Sequence, residues 1–349
     1  MSNPHPNIES VLYYQPTSWI DAIARFVRRK NISWWLVLLF LALVWLILFT
    51  LSRLKENPAS VSIFDQGYVG VFFSATPLPA YGVITSAAGR AFDRFIPALG
   101  KRPSGVDESR RRLTAIPLIQ SIVVGLLGAA IGIVSLFTTP AYQTVYFTST
   151  PTLVLGIIAF AFSYGAILTV IWQTIRTVNE VVRLHRRAEV IDVDRPGPAH
   201  AFSSVTAAAA SFILVVLAFS IATTPKFTET LPNFLLSAIA GLVAIAIFVL
   251  PLIRMRGRMI DAKHAEIDSV GARINAVMQE IETAVDQKRF KDVEALSSTM
   301  TALNDRADRL RKVSTWPWDA RVTSGFLSAL LIPVATWAIT VYAGRFLGV

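Results

Sequence analysis

The chain has 349 residues, of which 53% are hydrophobic and only 16% charged, against about 25% charged in an ordinary soluble domain. With a mean hydropathy of +0.52 and several nearly charge-free runs of about 20 residues, it reads as an all-α, polytopic helical membrane protein of six to seven membrane segments. The net charge of +10 gathers in particular loops, which argues for the lipid bilayer as a partner and against nucleic acid; the lack of cysteine excludes disulfides, thiolate metal sites and cysteine nucleophiles.

Residues 1–32 form an expected cytoplasmic N-terminal segment. Within it Ser18–Lys30 predicts a short interfacial helix, with Trp19, Ile20, Ile23, Phe26 and Val27 facing one way and Arg25, Arg28, Arg29 and Lys30 in water. The first apolar run begins near Ser33 and is too long for the core of a cleavable signal peptide. A membrane domain is expected over 33–253, with spans at about 33–51, 66–88, 114–138, 152–174, 204–223 and 232–253, and a last span at about 322–344 followed by a short outer tail to 349.

The 66–88 segment is irregular, because Gly67, Gly70, Pro77, Pro79 and Gly82 interrupt it and Asp65 stands at its entrance. Charge assigns it a crossing. Residues 25–30 and 90–112 are both rich in arginine, so both belong in the cytoplasm, and the chain must cross twice between them. Broken backbone at membrane depth is tolerated beside a cavity, which makes Asp65, Pro77 and Pro79 candidate pore or gate residues. In the next span Gly128 and Gly132 form a GxxxG pair, and Ala161 and Gly165 repeat small-xxx-small spacing one span later. Ile171, Ile175, Val178 and Val182 carry the helical period beyond the membrane, so that helix is expected to run to about Glu189. Just past the span, Arg183, Arg186 and Arg187 are candidate contacts for anionic lipid.

Residues 254–318 predict a cytoplasmic, antiparallel coiled-coil hairpin. Ile260, Ile267, Ile274 and Ile281 recur at heptad spacing on the first arm, and Leu296, Met300, Leu303 and Leu310 alternate by three and four on the second. The turn is expected around Asp286–Lys291. Trp316, Pro317 and Trp318 then mark the return to headgroup depth.

Sites with a chemical mechanism are sparse. There is no P-loop, HExxH, GxSxG, calcium-loop or dinucleotide fingerprint, and the middles of the later spans carry no ionisable residue of the kind that ion-coupled transport uses. Asp192, Asp194 and His200 share a loop but lack the further donors that a metal needs, and His264 reads as a solvated helix residue. No catalytic residue, metal or cofactor is assigned. The run RLHRRAEVIDVDRPGPAHAFS from Arg183, the hairpin, and STWPW followed by FLSALLIP together resemble an uncharacterised family of bacterial polytopic membrane proteins with a hairpin before the last span, over most of residues 90–345. The resemblance implies a cytoplasmic, integral hairpin and carries no activity.

The function expected from these features is non-enzymatic. The hairpin would mediate self-assembly or dock another protein, in a cytoplasmic (inner) membrane protein with its N-terminus inside and its C-terminus outside. Two alternatives are an ion channel or transporter built on 66–88, and a sensor module that passes motion to a separate effector.

Overall fold

The computed structural model describes residues 18–54, 72–100, 105–189, 197–223, 231–318 and 320–347, and every regular element among them is helical. Helix α1 (Trp19–Arg29) starts at Ser18, whose hydroxyl accepts the Asp21 N–H at 3.1 Å and donates to Asp21 Oδ2 at 2.7 Å. The first of these bonds makes Ser18 the N-cap of the helix, and the second holds its hydroxyl in place. The helix departs from the single apolar face predicted for it. Ile20, Asp21, Ala24 and Val27 turn into protein, while Ile23 and Phe26 stay exposed. The cause is Asp21, whose carboxylate finds donors on two other elements and takes its face of the helix inward with it.

Helix α2 (Trp34–Leu54) is apolar all round and mostly exposed, as lipid contact requires. Helix α3 (Pro77–Phe95) follows a helical turn at 72–75 and a bend at Thr76. Pro77 and Pro79 occupy its first turn, where the missing N–H groups have no intrahelical acceptor to satisfy. Gly82 makes room for the Trp34 indole, whose ring atoms would overlap any Cβ there. The stretch predicted as an irregular span is thus interrupted at Thr76 and, from Pro77 onward, a regular helix in the centre of the bundle. Its modest hydropathy has a plain reason: it is clad by protein rather than lipid, with Tyr81, Ile84, Thr85, Ala88, Phe92 and Phe95 all buried. Asp65, Gly67 and Gly70 lie outside the described residues.

The chain continues through α4 (Val106–Thr114), α5 (Leu118–Thr138), α6 (Pro140–Tyr146), α7 (Thr150–Arg187), α8 (Ser203–Thr223), α9 (Leu231–Asp286), α10 (Phe290–Lys312) and α11 (Ala320–Leu347). Among the described residues six helices are long and apolar enough to cross a membrane: α2, α5, α7, α8, α9 and α11. An integral membrane protein is the reading that this architecture carries. The alternation of glycine on α5 sets its closest contact. A Cβ at Gly128 would fall within the Tyr164 carbonyl of α7, and one at Gly132 would stand 2.5 Å from the Phe160 carbonyl oxygen. Gly165 answers from α7, where a Cβ would meet the Gly125 carbonyl oxygen at 2.9 Å. Backbones approach this closely only where both surfaces are bare.

Two helices run well past membrane thickness. With 38 residues, α7 is about 57 Å long, and the 56-residue α9 is about 84 Å long at 1.5 Å per residue. Their extensions share a core in which Val181 and Leu184 of α7 meet Leu252, Met255 and Met259 of α9, together with Phe92, Phe95 and Phe202. Arg258 closes the end of α7, its Nη1 donating to the carbonyls of His185 (2.7 Å) and Arg186 (3.1 Å). His185 is fully buried between the rings of Phe95 and Phe202, with Nδ1 3.0 Å from the Pro251 carbonyl. Pro251 lies inside α9 where the apolar stretch gives way to charge, so the histidine ties α7 to α9 at the residue where the ladder of α9 is interrupted.

Candidate functional site

Two regions draw together residues with functional potential. The first is a cavity of about 950 Å³ where α4, the start of α5 and the outgoing part of α7 meet. On α7, Trp172, Arg176, Asn179, Glu180 and Arg183 fall on successive turns of one face and all line it. Gln173, on the neighbouring face, is buried and donates from Nε2 to the Leu113 carbonyl at 2.8 Å, which seats the end of α4 on α7. Arg111 and Arg112 of α4 therefore come to the same cavity.

Its charges are knitted together. Glu108 pairs with Arg111 and, at 2.7 Å, with Arg112. Glu180, almost fully buried, pairs with Arg183 at 2.9 Å and stands 3.8 Å from Arg112. Gln120 Oε1 accepts from both Trp172 Nε1 and Arg176 Nη1 at 3.2 Å. Asp21 forms part of the wall. Its Oδ2 accepts the Ile116 N–H at 3.0 Å and the Ser18 hydroxyl, and its Oδ1 accepts the Tyr81 hydroxyl. The link before α5, the N-terminal part of α3 and α1 thus converge on one carboxylate.

The second region is the pair α9 and α10. The chain reverses at Gln287–Arg289, with Lys288 in the left-handed region at φ 58°. Near the bundle the pair is well joined. Lys263 Nζ donates to the carbonyls of Arg311 (2.7 Å) and Val313 (2.8 Å), Glu266 meets Arg306 at 2.6 Å, and Val270 packs with Ala307 and Leu310. Ile267, Ile274 and Leu303 flank that cluster. Toward the tip a groove of about 650 Å³ separates the arms, lined by Glu280, Ala284, Arg289, Asp292 and Leu296 among others. Ile260, Ile281, Leu296 and Met300 are half-buried along the pair. Beside the seam a second apolar stripe is left bare: Met278 is 50% exposed, Val285, one heptad on, is 47%, and Phe290 at the head of α10 is 67%.

The residues expected to act at sites divide as follows. Arg183 lines the cavity, whereas the side chains of Arg186 and Arg187 are not among those lining it. Arg111, Arg112 and Arg176, its other guanidiniums, were not singled out from sequence, since nothing in residues so far apart announces that they meet. Pro77 and Pro79 are buried at the head of α3, and Asp65 lies outside the described residues. Asp192 and Asp194 also lie outside them, and His264 is exposed on α9. Trp316 and Trp318 stack on each other at 4.8 Å, with the Arg256 guanidinium 4.0 Å over the Trp316 ring. Compared with known protein families, curated proteins and solved structures, the chain matches none.

Proposed function

We propose that this protein is a non-enzymatic integral protein of the cytoplasmic membrane that assembles with a second copy of itself through a coiled-coil hairpin formed by α9 and α10. The observation that carries the reading is the bare stripe of Met278, Val285 and Phe290 at the far end of a helix that continues directly from the membrane. An apolar face on a thin two-helix projection gains most by packing on another helix. A second copy is the occupant that fits. Copies in one membrane project their hairpins side by side, and a two-fold axis sets each stripe against its equal. The groove beside the stripe carries Glu280, Arg289 and Asp292, charges of both signs that complement one another across such an axis.

The same reading orients the chain. Both arginine-rich ends of α3 and α7, and the hairpin, take the cytoplasmic side. Residues 72–88 count as a seventh crossing, because Phe72 stacks on Phe219 at 3.7 Å near one end of α8 while Ile84 lies beside Ala209 nearer the other. This pairing over the depth of α8 supports a membrane-deep helix. The C-terminus then faces outward.

Replacing Met278 and Phe290 together by glutamate tests the assembly. Both side chains are exposed, so the variant is expected to keep the melting behaviour of the parent. Its mass in detergent, by native mass spectrometry, is expected to fall from dimer to monomer. A parent chain that is strictly monomeric at micromolar concentration would sink the proposal.

A further inference from the structure

The cavity between α4, α5 and α7 has no role in the assembly just described, and its chemistry points elsewhere. Four guanidiniums, from Arg111, Arg112, Arg176 and Arg183, face three carboxylates, from Asp21, Glu108 and Glu180. The carboxylates are already engaged. Asp21 receives the Tyr81 and Ser18 hydroxyls and the Ile116 N–H. Glu108 is held by Arg111 and Arg112, and Glu180 by Arg183 with Arg112 close by. Arg176 is placed differently. Its Nη1 bonds the neutral Gln120, and among the described residues no carboxylate lies within ion-pair distance of it. A guanidinium presents five donors in a rigid fork, so one bond to an amide leaves most of that fork turned to the cavity.

The walls are amphiphilic. Beside the guanidiniums the lining includes Ile119, Trp172 and Ile175, each exposed on the outer surface of the bundle. Trp172 is also held in place, its indole N–H donating to the same Gln120 oxygen that receives Arg176. A planar, bidentate cation beside a fixed indole and an apolar edge suits one class of ligand, a phosphate-bearing anion.

We infer that this cavity binds a phosphate anion, with Arg176 and Arg183 as its direct ligands. Two sources share that chemistry. A phospholipid headgroup would lay its chains on Ile119, Trp172 and Ile175, whereas free phosphate would use the guanidiniums alone.

The full chain separates the sources. It is purified in parallel from nanodiscs of phosphatidylglycerol and of phosphatidylcholine, and retained lipid is read by native mass spectrometry. In a second arm inorganic phosphate is titrated calorimetrically at matched ionic strength. The expected result is retention of phosphatidylglycerol over phosphatidylcholine, or saturable phosphate binding, weakened by about tenfold or more in R176Q, since a charge-assisted hydrogen bond is lost. Retained lipid with no phosphate binding assigns the site to a headgroup, and phosphate binding with no lipid preference assigns it to the free anion. R186Q, on the same helix but outside the cavity, is expected to match the parent. Absence of both activities overturns the inference, as does equal loss in R186Q or equal binding in R176Q.

Discussion

Replacing Asp21 by alanine is expected to lower stability by about 3–5 kcal/mol, the largest effect of any single substitution considered. The carboxylate is buried and accepts from Tyr81, Ser18 and the Ile116 N–H. Without it a buried phenol and a buried amide lose their acceptor, at about 1–3 kcal/mol each, and the Ser18 hydroxyl loses the carboxylate it donates to. The loss is therefore distributed over three parts of the fold, because α1, α3 and the residues leading into α5 share this group in addition to their apolar packing. Asp21→Asn keeps the shape but turns one acceptor into a donor, and about half the loss is expected. A double-mutant cycle with Tyr81→Phe locates the interaction: Tyr81→Phe alone costs about 1–2 kcal/mol, and much less when residue 21 is already alanine. Thermal melting in mild detergent measures all four. Fully additive losses would show that the phenol and the carboxylate do not act together.

Replacing Gly128 by leucine is expected to separate α5 from α7. The added side chain has no space, because even its Cβ would overlap the Tyr164 carbonyl, which is backbone and cannot swing aside. Overpacking a tight interface costs about 1–3 kcal/mol when neighbours adjust and more when they are backbone. Gly132→Leu meets the Phe160 carbonyl and behaves alike. Gly241→Leu supplies the comparison, since a Cβ at Gly241 meets nothing within 4 Å. Melting points in detergent are expected to fall for the first two and hold for the third. Equal behaviour of all three would deny that the close α5–α7 approach stabilises the fold.

Much of this architecture is legible in the sequence where one physical cause acts alone. Lipid-facing helices such as α2 and α5 announce themselves by uniform apolarity. The overrun of α7 shows in Ile171, Ile175, Val178 and Val182, since the period of 3.6 continues after the apolar run has ended. The Gly128/Gly132 pair reads correctly because only bare backbone benefits from that spacing. The failures arise where two causes compete. From its composition α3 looks broken, yet Pro77 and Pro79 are helix-starting residues and Gly82 is a socket for Trp34. A helix clad by protein has no need of strong hydropathy, so hydropathy understates it. In α1 the apolar pattern suggests one lipid-facing stripe, whereas the donors awaiting Asp21 decide which face goes inward.

The two candidate sites differ in the same way. The contact row between α9 and α10 is periodic and local, hence visible. The adjacent stripe of Met278, Val285 and Phe290 becomes evident only when the seam is assigned and these residues are found outside it. The cavity gathers Arg111, Gln120, Trp172 and Arg176 from elements that tertiary packing alone brings together.

The central claim, pairing of two hairpins along that stripe, is most directly tested by crosslinking in the membrane. The chain contains no cysteine, so Glu282→Cys installs a single thiol between Met278 and Val285, on the same face of α9. Arg273→Cys places one on a different face of the same helix. With a short bis-maleimide added to membranes at low expression, the account predicts covalent dimers for Glu282→Cys and monomers for Arg273→Cys. Monomers from both, or dimers in equal yield from both, would contradict it.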